Sequence, residues 1–260
     1  MTKRLFAGLA LCMSSLLAQA STAVDTDYLF PHIAIGEHNS NVYSIASSVK
    51  ADGFDERVGR NSGSADYTLM QESADHSLTF NVREVYDGSP IGQGVFTTRN
   101  GGATNCNSKG ECRTYTDASG LLYNRLLWGG PPARLKAGQT WKVAINQPWE
   151  FGAAGTQTVS VMRLDDANGT VTLKREGSAS GAIADESGTI TLVRNGKQIK
   201  LDIIPGKAHW TGYTTFRHGI VINDELLVTR AEVLVSKETG KVNATMRRYM
   251  LLNAAPYPTL

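Results

Sequence analysis

The chain has 260 residues, 41% of them hydrophobic and 19% charged, with 26 basic against 24 acidic side chains. Lys3 and Arg4 read as part of an N-terminal export segment, and without them the balance is 24 against 24. A formally neutral chain offers no electrostatic case for nucleic-acid binding, and one of this size can bury a real core without staples.

The first 23 residues have the form of a secretory signal. Lys3 and Arg4 supply the positive start, Leu5 to Leu17 the apolar run, and Ala18-Gln19-Ala20 a small-residue cleavage site, with a second site after Ala23. The apolar run is too short to span a bilayer comfortably. Cys12 lies inside it behind Leu11, where a lipid-modified cysteine would need a small residue. The protein is therefore expected to be exported, to the periplasm or the extracellular space, and peripheral to a membrane at most. Residues 24–260 are expected to form one β domain, with a conceivable sub-boundary near 129–138.

In chain order, Val24 to Gly36 is a short apolar-aromatic entry and Asn41 to Val49 a first strand. Lys50 to Gly63, with Asp52, Asp55, Glu56, Arg57 and Arg60 among glycines, reads as a polar connection or short helix. Tyr67 to Glu72 and Leu78 to Glu84 are strands, the second by clear alternation. Asp87-Gly88-Ser89-Pro90 is a turn. Gly94 to Thr98 and Glu111 to Thr116 are expected to flank, as a hairpin pair, a loop carrying Cys106 and Cys112. An oxidising compartment favours a disulfide there; zinc lacks further ligands nearby and a redox pair needs a shorter spacing.

Leu121 to Trp128 is apolar and ends at Gly129-Gly130-Pro131-Pro132. Strands are then expected around Trp141 to Val143 and Trp149 to Phe151, over Thr156 to Leu164, and over Thr170 to Glu176. The turn lies at Asp165 to Gly169, and Gly177 to Gly188 is a surface loop. The last quarter is a β-meander. Thr189 to Val193 and Gln198 to Ile203 flank Asn195-Gly196, a type I′ turn signal, and Pro205-Gly206 is expected to end that run. Glu225 to Ser236 and Val242 to Leu252 form a longer hairpin. Regular turn signals with almost no helical periodicity give an all-β fold. It is expected to be an antiparallel meander forming a curved sheet, half-barrel or barrel.

Familiar catalytic signatures are missing. Gly177-Ser-Ala-Ser-Gly181 puts Ala179 where a nucleophile elbow needs serine, and no phosphate loop, dinucleotide fingerprint or zinc-protease motif is present. No cofactor is expected and no metal site. Asp165 to Gly169 reads better as a turn than as a calcium loop, and His32, His38 and His76 are scattered. The densest cluster is His209 to His218. As a strand it places His209, Thr211, Tyr213, Thr215 and Arg217 on one face and Trp210, Gly212, Thr214, Phe216 and His218 on the other. His209, Tyr213, Arg217 and His218 are the candidate acid–base or anion-binding set. The plain alternative is an aromatic core face with a solvated outer face. Trp128, Trp141, Trp149 and Trp210 are candidates for a ligand-pocket rim, or for core packing.

Three features, Leu135-Lys-Ala-Gly-Gln-Thr-Trp141, the hairpin around Asn168-Gly169 and the closing meander Leu226 to Leu252, resemble the half-barrel envelope proteins related to the lipoprotein carrier of the periplasm. The resemblance implies a curved sheet holding an acyl chain against its concave face. That family covers the face with helices, no helical segment is evident here, and no functional residue transfers. The leading expectation is a non-enzymatic protein that binds an apolar or amphipathic, lipid-like ligand. The alternatives are an enzyme working around His209 to His218 and an assembly or adhesion module that binds another protein.

Overall fold

A computed structural model describes residues 24–25, 32–75, 77–99, 102–106, 112–115, 122–123, 125–130, 134–145, 154–181 and 188–255. The proposed signal segment, His76, Trp149 and the tip of the cysteine loop lie outside them. Among the described residues there are fifteen strands: β1 (Val24–Asp25), β2 (His38–Ala51), β3 (Arg57–Glu72), β4 (Leu78–Tyr86), β5 (Ser89–Arg99), β6 (Gly102–Cys106), β7 (Cys112–Tyr115), β8 (Arg134–Leu135), β9 (Thr140–Ile145), β10 (Gly155–Asp165), β11 (Thr170–Ser180), β12 (Thr189–Arg194), β13 (Lys197–Arg217), β14 (Ile220–Ser236) and β15 (Gly240–Ala254). One helical turn, α1 (Arg125–Trp128), and a 3-10 turn at Asp166–Asn168 complete the described elements.

All-β is the correct class. The main sheet runs β7-β6-β5-β4-β3-β2-β15-β14-β13-β11-β10-β9, entirely antiparallel, with β12 added to β13. Its outer strands β7 and β9 do not pair with each other, so the sheet is open and curved rather than a closed barrel. β1 and β8 form a separate two-stranded pair.

The curvature follows from what the inner face buries. Tyr67 and Phe80 from β3 and β4 share one apolar cluster with Val143, Val159, Leu173, Phe216 and Leu226 from the opposite side of the sheet. Leu122, Tyr123 and α1 occupy the space between. Trp128 is wholly buried, packs edge-on against Phe216 at 5.3 Å, and donates its ring N–H to the Leu122 carbonyl at 2.7 Å. Tyr123 sits 6.2 Å from Tyr67 and accepts the Val221 N–H at 3.0 Å. The chain thus supplies its own plug for the concave face, tied to β3, β13 and β14 by rings and hydrogen bonds.

A second, smaller core lies at the end of the sheet where β12 is added. Leu192, Ile199, Leu201, Leu234 and Ala244 bury there beside Phe54. Asp55 N–H donates to the Val193 carbonyl, so the β2–β3 turn covers the free edge of β12, and Arg194 lies over the Phe54 ring. This is a local answer to the exposed-edge problem.

Several expected boundaries shift. β13 does not end at Pro205-Gly206 but continues to Arg217, 21 residues in all, through a bulge between Pro205 and Ala208. β12 pairs with β13 only as far as Asp202 and β11 begins pairing at Lys207, so Pro205 falls in the gap between them and its missing N–H breaks no ladder. The polar stretch from Arg57 to Gly63 is the exposed start of β3, neither connection nor helix. β11 extends through Ser180 into the expected loop. The cysteine hairpin is β6–β7, with β5 outside β6, so Gly102–Cys106 was a missed strand. Within the segment read only as apolar, Leu122 and Tyr123 lie in a turn and Arg125–Trp128 is α1. Asn195 and Gly196, at φ 51° and 76°, make the expected two-residue turn.

Candidate functional site

Alternation along β14, β15 and β2 gives the sheet two unlike faces. Leu226, Val228, Met250 and Leu252 point into the core, whereas Leu227 and Tyr249 stay 45% and 39% exposed on the outer face. The register aligns that outer face across four strands. Arg60 lies opposite Ala46, Ala46 opposite Tyr249, and Tyr249 opposite Leu227. One step along, Val58 lies opposite Ser48 and Ser48 opposite Arg247.

Small residues on β2 between larger ones on β3 and β15 leave a trough. Its volume is about 540 Å³, and it is lined mostly by apolar atoms of Ala46, Ser48, Val58, Leu227 and Tyr249, with Arg60 and Arg247 on opposite walls and Ser47 and Gly59 completing it. That volume lies within the ~300–1,000 Å³ of small-molecule sites. Val58, 73% exposed, joins Leu227 and Tyr249 in one apolar patch, a grouping that carries more information than singly exposed apolar residues do.

The electrostatics are one-sided within the trough. Arg60 and Arg247 are exposed and make no ion pair among the described residues. Glu225, beside Tyr249, lies one cross-strand row outside the lining, and Glu56 lies beyond Val58 at the far end. Burial, together with the Glu225 carboxylate, pushes the Tyr249 phenol above its ordinary range, so it keeps its proton as a donor at neutral pH.

The candidate residues of β13 lie elsewhere. His209, Tyr213 and Arg217 are exposed on the outer face, four residues apart, which at ~3.4 Å per residue strings them over roughly 27 Å. Trp210, Thr214 and Phe216 are buried on the inner face, as the core-face reading expects. His218 departs from that alternation. With φ 49° it occupies a two-residue turn with Gly219 and is exposed. The structure does not gather these four side chains round one point.

The tryptophans converge instead on the plug. Trp141 Nε1 donates to the Trp128 carbonyl at 2.8 Å, Gln157 Nε2 to the Leu127 carbonyl at 2.5 Å, and Trp210 Nε1 to Gln157 Oε1 at 3.2 Å. The Trp210 ring lies where a Cβ on Gly177 would be, 2.2 Å from its nearest atom, so only glycine fits there. Trp128, Trp141 and Trp210 hold α1 in the interior, and Trp149 is outside the described residues. The register sets Cys106 opposite Cys112.

The outer trough was not foreseen. Its signal was visible as Ser44, Ala46 and Ser48 at every second place along one strand, but small polar residues on a strand read equally as a solvated face. No cluster of three or more metal-ligating side chains occurs among the described residues, and none of their helices is long and apolar enough to cross a membrane.

No protein-family profile and no curated protein matches the sequence. Among solved structures, the fold is similar to a lipovitellin structure described by its lipid–protein interactions, with 11% identity, a TM-score of 0.38 and 88% of this chain covered. The chain spans 26% of that lipovitellin chain. A loop-deletion mutant of OmpT, an outer membrane protein of Vibrio cholerae, matches with 11% identity and a TM-score of 0.20, over 85% of this chain and 100% of the other. At these scores neither likeness carries an argument about function.

Proposed function

We propose that this is an exported, non-enzymatic β-sheet protein that binds an apolar or amphipathic ligand in the cell envelope, and that the ligand lies in the trough along β2. The observation that carries this reading is the trough itself: a mostly apolar channel of about 540 Å³ open on the outer face. Burying an alkyl chain there contributes about 0.8 kcal/mol per methylene, enough for a short chain to bind measurably. The concave face expected to take the acyl chain is filled, in its described part, by Leu122, Tyr123, Leu127 and Trp128, which favours the outer face as the site.

Two further features belong to this reading. Export removes residues 1–20 or 1–23, and a disulfide between Cys106 and Cys112 closes the β6–β7 hairpin. Directly opposed residues on antiparallel strands are ~4.5–5.5 Å apart at Cα, within the disulfide range of ~4.4–6.8 Å. N-terminal sequencing of protein from its own host tests the first. A mass gain of two hydrogens on reduction tests the second.

The ligand is tested by native mass spectrometry of gently purified protein, with organic extraction and identification of whatever is released. A stoichiometric amphiphile that is lost when Ala46→Trp fills the trough supports the reading. A bare mass that persists after incubation with an envelope lipid extract overturns it.

A further inference from the structure

The trough has a second property that apolar contact alone does not require. Its two walls each carry one arginine, Arg60 on β3 and Arg247 on β15, placed diagonally across the small residues of β2. Two inter-strand spacings and a two-residue step put their Cα atoms roughly 12 Å apart, close enough for both guanidinium groups to lean over the same point above Ala46 and Ser48. Neither has an ion-pair partner among the described residues. The Tyr249 hydroxyl is a third donor on the same wall as Arg247. Arginine presents a planar fork suited to carboxylate or phosphate oxygens, and like charges facing one another across an empty channel repel until an anion enters.

We propose, resting on the amphiphile-binding reading above, that the trough selects a single-chain amphiphile with an anionic head, a free long-chain carboxylate, whose head lies between Arg60 and Arg247 and whose alkyl chain runs over Ala46, Val58, Leu227 and Tyr249. The width argues for one chain. The trough is bounded by β3, β2, β15 and β14, three spacings or roughly 14 Å from first strand to last, with side chains filling much of that span. The head specificity argues from charge: a cationic head would meet two guanidinium groups, and an uncharged one would leave them without a partner.

The test compares three ligands of equal chain length below their micelle-forming concentrations: dodecanoate, monolauroylglycerol and dodecyltrimethylammonium. Binding is read by calorimetry and by chemical-shift changes. Dodecanoate is expected to bind about tenfold or more tighter than the uncharged ester, and the cationic amphiphile weakest. Arg60→Gln and Arg247→Gln, both exposed positions outside the core, should each weaken dodecanoate about fivefold and the uncharged ester much less. Lengthening the acid should tighten binding about fourfold for each buried methylene.

Equal affinity for all three heads would overturn the anionic preference while leaving amphiphile binding standing. No binding of any of the three would overturn both. Binding to anionic vesicles without binding of monomeric dodecanoate would assign the face to a membrane surface, against the proposal. A dimer in ultracentrifugation that Leu227→Asp dissociates, with no dodecanoate bound, would assign it to a second copy of the chain and equally overturn it.

Discussion

Asp224 and Arg175 meet at 2.6 Å with neither side chain exposed, and the same carboxylate oxygen accepts the Thr214 hydroxyl at 2.5 Å. The Arg175 guanidinium also lies 5.4 Å from the centre of the Trp128 ring, linking this pair to the plug. Burial pushes the Asp224 carboxyl above its ordinary value, while Arg175 and Thr214 pull against that shift. Breaking such a pair from one side costs about 3–5 kcal/mol, whereas replacing both members with apolar groups is often neutral. Asp224→Ala should therefore lower the urea midpoint strongly. Arg175→Met with Asp224→Leu should recover most of the loss, and additive effects of the two changes would show that the charges act independently. Tyr123 gives a pH-dependent case. Burial raises its phenol from 10.0 to about 12. Because the folded value exceeds the unfolded one, its contribution is complete below pH 10 and is lost as the pH rises towards 12, about 2.7 kcal/mol over two units. In denaturant titrations, Tyr123→Phe should start lower, because the Val221 N–H loses its acceptor, and should fall less steeply over that interval.

At the scale of elements, what was legible depended on whether a signal was local. The alternation of Ile199, Leu201 and Ile203, the Asn195-Gly196 turn and the length of the final hairpin follow from side-chain period and positive φ, and the structure contains all three. The core face of Trp210 and Phe216 was legible for the same reason. Pro205 misled because its effect depends on which strands flank β13 at that point, information held some 25 residues away in β11 and nearby in β12. α1 was illegible because four residues carry no period; its place is set by carbonyls that accept from Trp141 and Gln157, on other strands. The trough was hidden for a related reason, since it arises from register between four strands and not from any one of them. The plug makes its own prediction. Trp128→Ala removes a wholly buried indole and should cost about 3–5 kcal/mol, with increased binding of an apolar dye at the vacated concave face. A dye signal unchanged from the wild type would mean that the sheet collapses into the gap.

At the scale of the whole molecule, the two halves of the main sheet join by strand pairing at a seam, the β2–β15 ladder. β2 pairs with β15 through eleven residue pairs about 200 positions apart in the chain, and the strands on either side of that seam otherwise come from separate halves of the sequence. Such non-local pairing slows folding into the millisecond-to-second range, so refolding from urea should be slow. Substitutions in the β2–β15 ladder should then lower the refolding rate if the seam forms in the transition state, or mainly speed unfolding if it forms afterwards. Since the trough spans this seam, a bound amphiphile should raise the thermal midpoint by mass action, and should do so less in Arg60→Gln.

The position of β15 also gives the site a place in the protein's life history. In a chain emerging residue by residue, β2 lacks its β15 partner until β3 to β14 have all been made. Until then β2 shows a bare edge to its surroundings, an invitation to mispairing that a holding chaperone would have to cover. Arg60 and Arg247 face one another only once β15 has been zipped onto β2. A chain interrupted before β15 has half a trough and one arginine, so an occupied site would report that β15 has been made and paired with β2.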